Sequence, residues 1–77
     1  MSRLPRISGR ELRKVMERQG FIFVRQRGSH MMMRHVTPPH ITVSLPDHKE
    51  LAPGTLRSIL HDIGITVEEL QELMKEL

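Results

Sequence analysis

With 77 residues, no cysteine, no tryptophan, no tyrosine and only two phenylalanines, the chain has room for one domain, residues 1–77, around one modest core. Neither a disulfide framework nor thiolate metal ligation is available, and the longest apolar run, Phe21 to Val24, is far below the roughly 20 residues that cross a bilayer. The net charge of +3 divides unevenly: residues 1–34 carry nine Lys/Arg against Glu11 and Glu17, whereas residues 35–77 carry three against seven acidic groups. The N-terminus has no charged-then-apolar leader pattern, so a cytoplasmic protein is expected. Its basic half offers phosphate groups counterion-release binding, the sequence-independent part of nucleic-acid affinity.

In chain order, Ser8 followed by Glu11 is a capping box, which satisfies orphan amide donors at a helix start. A helix from about Gly9 to Gln19 follows, with Leu12, Val15, Met16 and Gln19 on one stripe and Gly20 as its left-handed stop. Phe21 to Gln26 is aromatic and β-branched, favouring a strand. Arg27, Gly28 and Ser29 make a turn with Gly28 at positive φ, and Met31 to Val36 returns as a second strand. Thr37, Pro38 and Pro39 break it. Ile41 to Leu45 then alternates, with Ile41, Val43 and Leu45 on one face.

Beyond Pro46 and Asp47, Leu56, Ile59, Leu60 and Ile63 define an amphipathic helix begun near Pro53 and closed by Gly64. Thr66 and Glu69 form another capping box, opening a third helix marked by Leu70, Leu73, Met74 and Leu77. The order is α-β-β-β-α-α. It defines an α+β fold with a three-stranded antiparallel sheet covered on one face by helices, and it resembles the double-stranded-RNA-binding fold.

Particular residues carry a sharper resemblance. Gly20-Phe21, Arg25-Gln26-Arg27-Gly28-Ser29-His30, Leu45-Pro46-Asp47-His48, Leu51, Gly54-Thr55-Leu56-Arg57 and Ile59-Leu60 closely resemble the motif series of the HicA toxin family, from about Ser8 to Met74. The resemblance implies the toxin of a type II toxin-antitoxin pair: a translation-independent mRNA endoribonuclease, neutralised by a HicB-type antitoxin protein. It also implies that His30, in the Gly-Ser-His turn, is catalytic.

Chemistry supports that position. Imidazole titrates near neutrality, so His30 can take the proton of an RNA 2′-hydroxyl, deliver one to the leaving 5′-oxygen, or do both. Arg27 and Arg34, with Arg25 behind them, are the candidate phosphate contacts, because strand parity puts Arg34 on the face of His30. Gly28 and Ser29 shape the turn and are RNA-contact candidates with it, and His48 is a candidate RNA contact or second acid-base group. If His30 points outward, Met31 and Met33 pack inward and Met32 lies near the site or against the antitoxin; the opposite parity is the alternative.

Ser29 as a nucleophile would need a base held by a third group, and no acidic residue is near it in sequence. His35, His40, Asp47, His48 and His61 lack the spacing of a helical metal pair, so neither a metal nor any other cofactor is expected. With only two aromatic side chains besides the histidines, backbone and shape recognition should outweigh base stacking. A non-catalytic RNA-binding module of the same fold is the alternative reading, and an adaptor that binds only protein is a third.

Overall fold

The computed structural model describes residues 3–77. Helix α1 (Gly9–Arg18) leads into strands β1 (Phe21–Arg27), β2 (His30–His35) and β3 (Thr42–Pro46), then helices α2 (Pro53–Ile63) and α3 (Val67–Met74). The strands form one antiparallel sheet in the order β1-β2-β3. This is the α+β order and open three-stranded sheet that the sequence implies.

The capping boxes are both closed. Ser8 Oγ accepts the Glu11 amide while Glu11 Oε1 accepts the Ser8 amide, each at 3.0 Å, and Thr66 and Glu69 repeat the exchange at the start of α3. Gly64 ends α2 at φ +76, a left-handed conformation that costs a residue without Cβ nothing. The helices cover one face of the sheet and bury Leu12, Val15 and Met16 of α1, Leu56, Ile59 and Leu60 of α2, and Leu70 of α3. Against them lie Phe21, Met31, Met33, Val43 and Leu45 from the three strands, forming one apolar cluster with Ile7 and Leu51. No polar or charged residue among those described is buried.

Alternation along β2 places Met31 and Met33 in this cluster, at 2% and 0% exposure, and turns His30, Met32 and Arg34 to the open face. Two of the expected apolar positions differ. Ile41 is 39% exposed: it precedes β3 at the rim of the sheet, beside Ile63, His35 and Pro38, with its carbonyl accepting the His35 amide at 3.0 Å. Leu77 is 46% exposed because α3 stops at Met74, and helical spacing no longer aims it at the core.

One irregularity sets the chemistry of the open face. Phe23 pairs with Met33 and Arg25 with Met32, leaving Val24 as a surplus residue, a β-bulge. Strict alternation from Phe21 would send Arg25 and Arg27 to the helix side. The surplus residue shifts the count by one, so Arg25 lies opposite Met32 and Arg27 opposite His30.

Candidate nucleic-acid interface

The open face of the sheet is built from three cross-strand rows. Arg27 and His30 form the first, whose register partner Pro46 is buried, Arg25, Met32 and Ser44 the second, and Ile22, Arg34 and Thr42 the third. Partners directly opposite share a face, with Cβ atoms about 4.5–5.5 Å apart. His30 is therefore the immediate neighbour of Arg27. Arg34 lies four residues along the same strand, roughly 13 Å away at about 3.3 Å per residue. Around Arg34, at the far end of the face from His30, Val24, Arg25, Met32, Arg34, Pro39, His40 and Thr42 line a shallow groove of about 450 Å³.

The charge on this face is uncompensated. Arg6, Arg10, Arg13 and Arg18 each pair with a carboxylate, respectively Glu50, Asp47, Glu17 and Glu76. Arg25, Arg27 and Arg34 are exposed and have no such partner among the described residues, and no residue of the three strands is acidic. Coulomb attraction for an approaching polyanion is thus concentrated where His30 stands. The His30 imidazole is exposed and makes no hydrogen bond within the described residues, so both ring nitrogens are open to a substrate.

The turn that carries His30 has two residues. Gly28 at φ +56 occupies the first position, as a type II′ hairpin requires, and Ser29 the second. Each backbone carbonyl is held: Gly28 O accepts the Gln26 side-chain amide at 3.2 Å, and Ser29 O accepts the Asp47 N–H at 2.7 Å. The Ser29 hydroxyl is exposed, with no partner among the described residues.

His48 is brought near the same turn by the ladder, since Pro46 pairs with His30 and Asp47 continues to Ser29. His48, however, lines a different groove of about 490 Å³, with Ser8, Arg10, Asp47 and Lys49. Its carbonyl accepts the Gly9 amide at 2.9 Å, which fixes the start of α1 against the end of β3. The structure thus gathers Arg25, Arg27, Gly28, Ser29, His30 and Arg34 on one face and its edge, and sets His48 around the corner.

The remaining histidines are occupied otherwise. The His35 ring packs edge-on against Phe21 at 4.9 Å, and its nitrogens meet Gln19 O at 2.9 Å and the Thr37 amide at 3.0 Å. His40 Nδ1 lies 3.1 Å from His35 O, and exposed His61 sits beside Asp62. Among the described residues no three His, Cys, Asp or Glu side chains converge on a point a metal ion could occupy.

Two features of this site lie outside the sequence reading. The bulge at Val24 leaves no mark in residue type, although a break in the alternation at Phe23-Val24 is consistent with it. The support of the turn by Gln26 and Asp47 joins residues 21 apart, a contact that no local pattern specifies.

A helix-covered core behind a three-stranded antiparallel sheet, with a histidine and three arginines on the open face, defines the class of small basic α+β domains. A family model described as the HicA toxin of bacterial toxin-antitoxin systems matches residues 9–65, well over half of the chain. The chain belongs to the HicA toxin family and is the toxin type of a toxin-antitoxin system. The matched span runs from the first residue of α1 to just beyond α2. It stops short of the Met74 expected from the motif series, so α3 lies outside it. A comparison with curated proteins returns no match.

Proposed function

We propose that this chain acts as a single-domain, cytoplasmic, metal-independent mRNA endoribonuclease in which His30 moves the proton and the open sheet face holds the RNA. The observation that carries this reading is the set of three arginines, Arg25, Arg27 and Arg34, one in each row and without an ion-pair partner among the described residues, around an exposed histidine on strands without carboxylates. Arg27, directly opposite His30, meets the phosphate that is cut, and Arg34 meets a neighbouring one. The Gly28-Ser29 turn lets the backbone approach the strand closely, with the Ser29 hydroxyl as a hydrogen-bond donor to phosphate. His48 contacts the RNA from the edge, outside the reacting row.

In the cleavage step the 2′-oxygen attacks the adjacent phosphorus, the bond from phosphorus to the 5′-oxygen breaks, and one proton is removed from the first oxygen and one supplied to the second. His30 serves one or both transfers. A single positioned acid-base group contributes about 10²- to 10⁴-fold, so turnover is slow and toxicity follows the number of transcripts met. A protein antitoxin of the HicB type silences the enzyme by covering the basic face, and carboxylates on that antitoxin complement Arg25, Arg27 and Arg34.

The test is a labelled RNA carrying a single 2′-deoxy substitution at the cleaved position. Loss of cutting at that position alone, with neighbouring sites still cut, supports 2′-hydroxyl attack on the His30 face; undiminished cutting there contradicts it. If the wild-type protein binds RNA but never cuts it, the face is a binding surface only. Binding to no RNA at all would leave the protein-only adaptor.

A further inference from the structure

Asp47 stands at the junction of three segments: the exit of β3, the start of α1 and the β1-β2 turn. Its side chain is only 17% exposed. Arg10 Nε donates to Oδ1 at 3.1 Å and Arg10 Nη2 to Oδ2 at 3.4 Å, a two-point contact that matches the planar guanidinium. The Gln26 amide also donates to Oδ2, at 3.4 Å, and from the same nitrogen to the Gly28 carbonyl at 3.2 Å. The Asp47 backbone N–H meets the Ser29 carbonyl at 2.7 Å. One residue therefore reaches both residues of the turn, Ser29 directly and Gly28 through Gln26.

The anchor is itself fixed. Gly9 N–H donates to His48 O at 2.9 Å, and a Cβ on Gly9 would collide with the Pro46 carbonyl, so α1 packs hard against the chain on either side of Asp47. The carboxylate stays charged well into acid, since its hydrogen bonds from Arg10 hold it below the usual range. These contacts stabilise no buried core. They converge on two exposed turn residues that lead directly into His30.

We propose that Asp47 is a positioning residue for His30: with Arg10 and Gln26 it latches the Gly28-Ser29 turn to the end of β3 and so fixes where the imidazole meets the phosphate. The inference rests on His30 being the reacting group, as proposed above. It also explains why a carboxylate stands beside a surface otherwise kept free of them, since the charge is neutralised by Arg10 and used for geometry. A displacement of about 1 Å at a reacting group can cost 10²-fold in rate. The latch thus acts on kcat. Removing a carboxylate cannot weaken a polyanion's affinity by charge, so KM for RNA stays level or falls.

The experiment compares wild-type protein with Asp47→Ala, Asp47→Asn, Gln26→Ala and, as a control, Glu17→Ala, which breaks only the Arg13–Glu17 surface pair. Two readouts are taken: kcat and KM for RNA cleavage, and amide hydrogen exchange at Gly28, Ser29 and His30, which needs no activity. Asp47→Ala and Gln26→Ala should speed exchange at the turn and lower kcat about 10-fold at unchanged or lower KM, a fraction of the full misplacement cost. Asp47→Asn, whose single amide oxygen can still accept from Gln26 and Arg10 Nη2 but leaves Arg10 Nε without an acceptor, should recover part of the loss, and Glu17→Ala should match wild type. Gln26→Ala keeps the test open if Asp47→Ala does not fold, because Gln26 is an exposed strand residue.

Wild-type kcat and turn exchange in Gln26→Ala and Asp47→Ala would overturn the latch while leaving His30 as the reacting group. A loss expressed only in KM would overturn it too. Retained cleavage in His30→Ala would instead remove the functional reading beneath it, whatever the exchange data show.

Discussion

Removing Arg25, Arg27 and Arg34 together is the perturbation whose outcome the sheet geometry constrains most tightly. Each phosphate neutralised by a cation on a single strand contributes about −0.7 to the slope of log affinity against log salt, so three arginines set a slope of about −2.1. Raising salt from about 50 to 200 mM then weakens binding roughly 20-fold, and a variant lacking one arginine loses roughly 7-fold over the same range. The triple alanine variant should lose the dependence contributed by this face. Fluorescence anisotropy of a labelled RNA with His30→Ala protein measures it without cleavage. The three side chains have no ion-pair partner among the described residues, so the variant's Tm should match its parent's. An unchanged slope in the triple variant would refute the reasoning and move the RNA to another surface, the grooves around Arg10, Lys14 and Lys49 first.

Other consequences are equally open to measurement. Gly9→Ala drives a Cβ into the Pro46 carbonyl and should cost about 1–3 kcal/mol. In a domain of this size that lowers Tm by at least about 4 °C, and an unaltered melting curve would contradict the packing of α1 on the end of β3. Deleting Val24 removes a surplus residue without changing the parity of those around it, so the variant should fold and keep its RNA affinity within a few-fold. Collapse of binding would show that the bulge does more than set the face. The Glu11 carboxyl is held below its usual 4.5, first by the Ser8 backbone amide and then by the Ser8 hydroxyl. A depressed folded value adds stability that is complete above 4.5 and is lost as pH falls through that folded value, so Glu11→Gln should flatten the acid limb of stability against pH. A limb of unchanged steepness would assign it to other carboxylates.

The fold was legible because its signals are local. Two capping boxes, Gly20, Gly28 and Gly64 at positive φ, and the spacing of Leu56, Ile59 and Leu60 each declare an element from residues within one or two turns of one another. Boundaries were less sharp: β2 starts at His30 rather than Met31 and β3 at Thr42 rather than Ile41, because strand ends are decided by the partner strand. Parity ties the burial of Met31 and Met33 to the outward aim of His30 and Arg34, and packing against the helices decides between the two parities.

Arg25 and Arg27 illustrate what parity alone misses. Counted from Phe21 they point to the helices, and only the register against β2 shows that Val24 is skipped. The metal-like set of histidines likewise dissolves in three dimensions, with His35 clamped between Phe21 and Gln19 and His61 alone on α2. The Asp47 latch depends on tertiary contacts across β1, β3 and α1. Such contacts carry no short-range pattern, and Pro46-Asp47-His48 is legible in the sequence only as part of the family motif.

Cleavage of a labelled single-stranded RNA by the purified protein in excess chelator, wild type against His30→Ala, tests the central claim most directly. Cutting that persists in chelator and disappears in the variant, while the variant still binds the RNA with wild-type affinity, is the result expected of a histidine on an arginine-framed sheet. Cutting by His30→Ala at the wild-type rate would contradict it.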